Sequence, residues 1–436
     1  MYENSIGVLV PSVMLPPKGT DFKKWAVVAC DQFTSQPEYW DNARAVIGDA
    51  PSTLDLFLPE AYLGKEDEAA RIAAIRTNMR DYMARGVLET KPQGFVLVKR
   101  SVAGNTRWGL VLALDLECYD YNKGATTRIR ATEGTIVSRI PPRLRIREGA
   151  PLELPHILVL IDDPNRTVIE PLKAQTNEME SLYDTDLMLD GGHISGWLVD
   201  DKTLIQAALD AMAALTDPAA FHAKYGDHAP LLFAMGDGNH SFATAKANWE
   251  KVKATLPEAA RKDHPARFCL VEIENVHDEG IVFEPIHRVV FGLGGEAGIQ
   301  AILQKLQAQN GKATVEYGDT FQAAGGAVHV IPFFTGEKQG AFLVEGCTQQ
   351  LAVGTLQNAI DAVLKETPGA EVDYIHGTDV VKRLSKQANT MGFLLPAMEK
   401  SELFPTVVYD GALPRKTFSM GEANEKRYYL ECRKID

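Results

Sequence analysis

The sequence predicts an α/β protein in which mixed sheets carry flanking helices and the chain divides into two or more subdomains. Three observations predict it. Short β-rich runs alternate with helical stretches along the whole chain. Of 436 residues, 45% are hydrophobic and none lies in a low-complexity tract, so there is apolar surface for more than one core. Past residue 292 the pattern becomes less distinctive, punctuated by Asn310-Gly311 and Gly325-Gly326. Residues 1–292 therefore read as the site-bearing α/β region, and residues 293–436 as a C-terminal α/β region.

The first strands are expected at Ile6 to Val10, Ala26 to Ala29, Gly94 to Lys99, Trp108 to Asp115 and His156 to Ile161. Between the second and third, Ala69, Ile72, Ile75, Met79 and Met83 recur at helical spacing from Glu66 to Arg85, and Gly86 ends the helix. From Arg128 to Leu154 the chain turns basic and proline-rich, with Arg128, Arg130, Arg139, Arg143, Arg145 and Arg147 close together in an otherwise acidic protein. After a turn at Asp162-Asp163-Pro164-Asn165 comes a stretch read as helical, carrying Lys173, Glu178 and Glu180. A strand at Ile194 to Val199 and a helix from Lys202 to Leu215 follow. The strand Leu231 to Met235 leads into Gly236-Asp237-Gly238-Asn239-His240-Ser241, and the next helix sets Phe242, Ala245, Trp249 and Val252 on one face as a core stripe. Strands at Phe268 to Ile273 and His287 to Phe291 precede a helix from Glu296 to Gln309. A basic-hydroxyl tail, Pro414 to Ser419, comes late in the chain.

The net charge of −13, spread through the sequence, disfavours nucleic acid and anionic membranes as partners and favours a small molecule. Five widely spaced cysteines, none paired at metal-ligand spacing, read as reduced thiols without a structural zinc. Met1 to Pro11 has no basic n-region or long apolar core, and no window is long and apolar enough to span a bilayer, so a cytoplasmic location is expected. There is no Walker loop, no G-x-G-x-x-G fingerprint, no H-E-x-x-H helix and no indication of haem or flavin.

The most informative segment is the glycine turn from Gly236 to Ser241. A helix N-terminus carries about half a positive charge and several unpaired N–H groups, so strand, glycine-bracketed acidic turn and helix make a phosphate-sized site. Gly236 and Gly238 shape it; Asp237, Asn239, His240 and Ser241 line it. The plainer reading is an ordinary strand-to-helix turn with Asn239 or Ser241 as N-cap. Elsewhere, His193 and His287 are candidate acid–base groups, His287 with Arg288 beside it as an anion contact. Asp184, Asp186, Asp190 and His193 form a sparse acidic patch read as a solvated loop rather than a metal site. Cys30, with no histidine near it in sequence, reads as packing.

Taken together, these segments resemble the domain of unknown function 1015 family almost end to end. The family's Asp-Gly-His-His-Arg turn appears here as Asp237-Gly238-Asn239-His240-Ser241. Leu114 to Tyr121 is similar to its Asp-Tyr stretch, and Arg130-Ala131-Thr132-Glu133-Gly134-Thr135 stands where the family has His-Glu-Arg-Thr. His193 and Trp197, Pro285-Ile286-His287-Arg288, and the tail with Pro414, Arg415 and Lys416 resemble further family segments. A more distant resemblance, an acidic residue followed later by Asp-Gly-x-His-Arg at a helix start, is to the ParB and sulfiredoxin superfamily, which includes an ADP-dependent free-serine kinase. That likeness implies a phosphate-binding helix start. It implies Glu133 as catalytic base or metal-proximal carboxylate, Asp237 as activator of an acceptor hydroxyl, and His240 with the turn's amides as phosphate ligands. Ser241 replaces the family's arginine and Asn239 its first histidine, so charge neutralisation is expected from another cation. Arg130, Arg415 and Lys416 are the candidates carried forward, with Arg128 and Arg139 near Glu133 in sequence.

The resulting expectation is a nucleotide-dependent phosphotransferase using ATP, ADP or CTP with Mg²⁺ to phosphorylate a small hydroxylated metabolite. Two alternatives stand beside it: a non-catalytic nucleotide or metabolite sensor, and a metal-assisted phosphoester hydrolase.

Overall fold

The computed structural model describes residues 6–122 and 124–436. They fall into two units, one running to Val282 and taking back Met420–Asp436, the other Phe283–Ser419. The boundary expected at 292 is thus replaced by two crossings, and the basic-hydroxyl tail lies in the second unit.

The first unit is a mixed ten-stranded sheet with layers on both faces. Its strands are β1 (Val8–Leu9), β2 (Phe95–Val102), β3 (Asn105–Asp115), β4 (Tyr119–Asp120), β5 (Ile129–Arg130), β6 (Leu158–Ile161), β7 (Glu180–Asp186), β8 (His193–Val199), β9 (Phe233–Asp237) and β10 (Phe268–Asn275). The order across the sheet is β7-β8-β2-β3-β10-β6-β9-β5-β4, with β1 added antiparallel to β3. β6 runs parallel to β10, and β9 parallel to β5, while β6 and β9 pair antiparallel.

The central strands are apolar on both faces because both faces are covered. Along β3, Leu110, Leu112 and Leu114 point into one core, Val111 and Ala113 into the other. Helices α1 (Pro37–Ile47) and α2 (Glu68–Ala84) pack on the second of these with Trp40, Ile47, Ile72, Ile75 and Met79. The first core takes α4 (Lys202–Ala214) and α5 (Asn239–Thr255), the latter through Phe242, Ala245 and Trp249, as the stripe predicts. Between them in sequence, the short α3 (Ile140–Arg147) holds arginines in ion pairs: Arg143 with Glu60 and Arg145 with Glu68. The helix expected through Lys173, Glu178 and Glu180 does not form. Two short turns, Glu170–Lys173 and Thr176–Glu178, give way to β7, whose pairing with β8 claims Glu180. Long-range pairing outweighs local helix propensity there.

The C-terminal segment threads back into this unit. Tyr428–Tyr429 pairs with Val27–Val28, and Arg433–Lys434 with Leu152–Glu153. Its anchor is Arg427, 1% exposed, which donates to Glu272 at 2.6 Å, to Glu431 at 2.9 Å and to the carbonyls of Pro155 and Tyr428. A buried guanidinium is tolerable only with partners of this number and charge.

The second unit is an antiparallel six-stranded sheet of β11 (His287–Phe291), β12 (Lys312–Tyr317), β13 (Val328–Thr335), β14 (Lys338–Glu345), β15 (Glu371–Ile375) and β16 (Thr390–Phe393). Helices α6 (Gly295–Gln309) and α7 (Ala352–Glu366) bury Ile299, Ile302 and Leu306, and Leu356, Ala359 and Ile360.

Candidate functional site

β9 ends at Asp237, and α5 begins two residues on. Gly238 between them has φ 81° and ψ 25°, a left-handed conformation that glycine adopts without the Cβ penalty. No side chain caps this seventeen-residue helix. Gly236 is tight for another reason: a Cβ there would come within 2.9 Å of Met420 Sδ. Asp237 accepts from Gly238 N at 2.9 Å and pairs with Lys426 Nζ at 3.3 Å.

Lys426 is a cation that local sequence reading misses. Arg100 and Arg107 hold the carbonyls of Asn424 and Glu425, each at 3.0 Å, and Arg427 anchors the far side. A cation not among the candidates thus stands beside the turn on the returning C-terminal segment. Its only sequence signal is the charge-studded run Lys426-Arg427-Tyr428-Tyr429-Leu430-Glu431, which a buried segment tolerates only when every charge is paired.

Asn239 and His240 face a loop contributed from more than a hundred residues upstream. Asn239 Oδ1 accepts from Thr132 N at 3.2 Å and its Nδ2 donates to Thr132 Oγ1 at 3.4 Å. His240 Nε2 accepts from Ile136 N at 3.3 Å. The two side chains pin the loop at both ends of a short segment, and Glu133 lies half-buried within it. Glu133 is thereby brought to the glycine turn, and the two residues expected as ligands hold it there.

Ser241 carries a longer chain. Its Oγ is 2.8 Å from His156 Nε2, whose Nδ1 is 2.8 Å from Tyr429 Oη, and that oxygen accepts from Cys30 N at 3.3 Å. Tyr429 Oη accepts the amide proton and also bonds the Cys30 thiol, and the imidazole tautomer of His156 sets which way the two bonds beyond it run. Ser241 sits in the first turn of α5. Cys30 thus contributes both its amide and its thiol, and burial pushes that thiol far up.

The other predicted residues sit elsewhere. Arg130 is buried and donates to the carbonyls of Thr127, Ala229 and Pro230, and burial lowers its pKa. It fastens a strand end. His287, Arg288, Arg415 and Lys416 belong to the second unit. Arg288, 0% exposed, donates to Gln357, to Ile286 O and to Arg415 O. Arg415 pairs with Asp361 at 2.8 Å, and Lys416 adopts φ 55°. His287 Nδ1 accepts from Leu395 N at 3.1 Å; burial, with Arg288 and His376 nearby, lowers its pKa to about 4. His193 lies between Asp186 at 2.8 Å and Asp184 at 3.0 Å, which raise its pKa. Among the described residues no three His, Cys, Asp or Glu side chains are placed to hold a metal ion, and no helix is long and apolar enough to cross a membrane.

A family model described as "Protein of unknown function (DUF1015)" matches residues 14–404. The chain belongs to this family. No curated protein matches the sequence. Among solved structures, the chain is similar to a conserved hypothetical protein from Pyrococcus furiosus at 12% identity and TM-score 0.33, over 73% of this chain and 90% of that one. A mutant free serine kinase in complex with AMP gives 11% identity and TM-score 0.37, over 75% and 92%. SbnI with a C-terminal truncation, from Staphylococcus aureus, gives 11% and 0.33, over 71% and 81%.

Proposed function

We propose that this family member binds the phosphates of a nucleotide at the start of α5 and transfers a phosphoryl group to a small hydroxylated metabolite. The observation that carries the reading is the start of α5, where no side chain caps the helix and Lys426 stands beside the glycine turn. The helix dipole favours an anion there, and the Ser241 hydroxyl, held by His156, stands at the same helix start. Lys426 adds a positive charge beside the same turn.

In the transfer, the acceptor's hydroxyl oxygen attacks the terminal phosphorus and its proton passes to Asp237. The bond from phosphorus to the bridging oxygen breaks, and the nucleotide leaves one phosphate shorter. Asp237 is oriented for this by Gly238 N and Lys426. Asn239 and His240 act as positioning residues that keep the Glu133 loop against the turn. Glu133 and Asp237 are the carboxylates that would hold Mg²⁺, an ion that retains waters and arrives on substrate phosphates. When bound, it would neutralise phosphate charge. Phosphoryl transfer of this kind depends on positioning and electrostatics more than on a covalent nucleophile.

The test is a thermal-shift screen with ATP, ADP and CTP, with and without Mg²⁺, followed by ³¹P NMR of hydroxylated acceptors. A nucleotide at a hundred times its dissociation constant should add about 2.7 kcal/mol of stability. Asp237→Asn should fold normally and lose turnover by about 10²-fold or more; full activity in that variant sinks the assigned role. One observation favours a second reading, a nucleotide sensor without turnover: the Asn239 and His240 side chains are already engaged by the loop. Binding with no phosphoryl transfer to any acceptor selects it.

A further inference from the structure

Glu272 and Glu274 are alternate residues of β10 and so share one face of the sheet. Glu272 is matched there, since Arg427 donates to it at 2.6 Å. Glu274 is matched on one side only. It is fully buried, its Oε1 accepts from Arg107 Nε at 2.6 Å, and its Oε2, shielded from water, meets no donor among the described residues. Two more carboxylates face it: Glu272, and Asp278 in the loop after β10. A buried carboxyl with one bare oxygen and like charges beside it favours its neutral form. Burial, opposed by Arg107 and reinforced by Glu272 and Asp278, pushes the Glu274 pKa up to about 7.

Arg107 connects this group to the strap Asn424–Arg427. While its Nε holds Glu274, its Nη1 donates to Glu425 O at 3.0 Å. Arg100 on β2 does the same one residue earlier, donating to Asn424 O at 3.0 Å. The other charges facing this space are Arg427, shared between Glu272 and Glu431, the Glu425 carboxylate, and Lys173, 3.7 Å from Asp278. The strap thus covers the arginine that covers Glu274. Lifting it lets water reach both, and the carboxyl then titrates near its ordinary value of about 4.3.

We propose that the strap closes with a proton bound to Glu274: it seats while that side chain is neutral and loosens as the carboxylate forms. The closed-state pKa stands above the open-state one, so closure is fully favoured below about pH 4.3 and the advantage is lost as pH rises through about 7. Lys426 belongs to the strap, so its place beside Asp237 follows the same proton. An effect on nucleotide affinity rests on the phosphate-binding reading of the glycine turn; the closure itself does not.

The test is hydrogen exchange of the full chain without nucleotide, read in peptides spanning 421–430 and corrected for the intrinsic rate at each pH. Protection of the strap is expected to fall about tenfold from about pH 6 to about pH 8. Glu274→Gln keeps an oxygen for Arg107 and carries no charge, so its protection should hold the low-pH level throughout. Asp278→Asn removes a repelling charge, and the midpoint should move to lower pH. Flat protection in the unmodified chain overturns the proposal. So does a pH dependence that survives Glu274→Gln, which assigns the proton to His156 beside Tyr429 instead, or a midpoint unmoved in Asp278→Asn. ADP titrations over the same range separate the two readings: measurable affinity that stays constant while strap protection falls counts against Lys426 as a phosphate contact and leaves the proton on Glu274 standing.

Discussion

Two helices in this protein begin alike. Both follow a strand through a glycine-containing turn, α5 after β9 at Gly238 and α6 after β11 at Gly294, and neither has a side-chain cap of its own. Around them the structures diverge. At α6, Gly295 N donates to Thr335 Oγ1 at 2.7 Å, and that hydroxyl donates to Thr390 O at 2.9 Å. The chain of donors ends inside the protein, and the helix start is closed. At α5 the corresponding chain runs from Cys30 through Tyr429 and His156 and ends on Ser241, a hydroxyl of the helix's own first turn. A glycine-led helix start is thus closed where a distant hydroxyl accepts from its amide, as Thr335 does, while elsewhere a distant chain ends on a side chain of the start itself.

Acid should act on the closed region first. His287 is buried neutral with its pKa lowered to about 4, below the ordinary value near 6.5. Its folded form resists protonation, so the stabilisation is present above about pH 6.5 and is lost as pH falls toward 4, by about 3 kcal/mol in all. Hydrogen exchange of β11 amides should accelerate across that window relative to its intrinsic rate, and the effect should shrink in His287→Gln. A β11 indifferent to acid would contradict the assignment. Next in size is Thr335→Val, which strands Gly295 N–H and Thr390 C=O; a loss of about 1–3 kcal/mol in denaturant unfolding is expected, with nucleotide binding unchanged.

At the open start the effects should fall on ligand rather than on stability. Lys426→Met should weaken nucleotide binding about tenfold and flatten its salt dependence, measured by calorimetry at two ionic strengths. The smallest effect is expected from Ser241→Ala, about 0.5–1.5 kcal/mol of nucleotide affinity with little change in melting temperature. Should Ser241→Ala instead cost as much stability as Thr335→Val, the two starts would be alike and the contrast would fail.

Much of the fold is legible from periodicity. The fully apolar run through Leu110 to Leu114 can only be a two-faced central strand, and the Phe242, Ala245, Trp249 stripe fixes which side of α5 is buried. The glycine turn is legible too, because its chemistry is local. The partners of that turn are not. Lys426, His156 and Tyr429 sit in segments with no motif, and only tertiary structure selects them. Nor does sequence show where a side chain points: Asn239 and His240 read as ligands, yet they grip Thr132 and Ile136. Arg130 and Arg288 fail as anion contacts for the same reason, since their guanidinium groups are fastened to carbonyls.

The return of Met420–Asp436 to the first unit also sets an order of events during synthesis. Domains generally fold as they emerge, N-terminal portion first. Here the first unit emerges without Lys426, Arg427 and Tyr429, and an entire second sheet, Phe283–Ser419, is made before they appear. Until then Glu272, later buried against Arg427, lacks its counter-ion and resists burial. Closing so long a loop is slow, though each doubling of its length adds only about 0.6 kcal/mol. The glycine turn therefore gains Lys426 and Tyr429 at the last step of assembly.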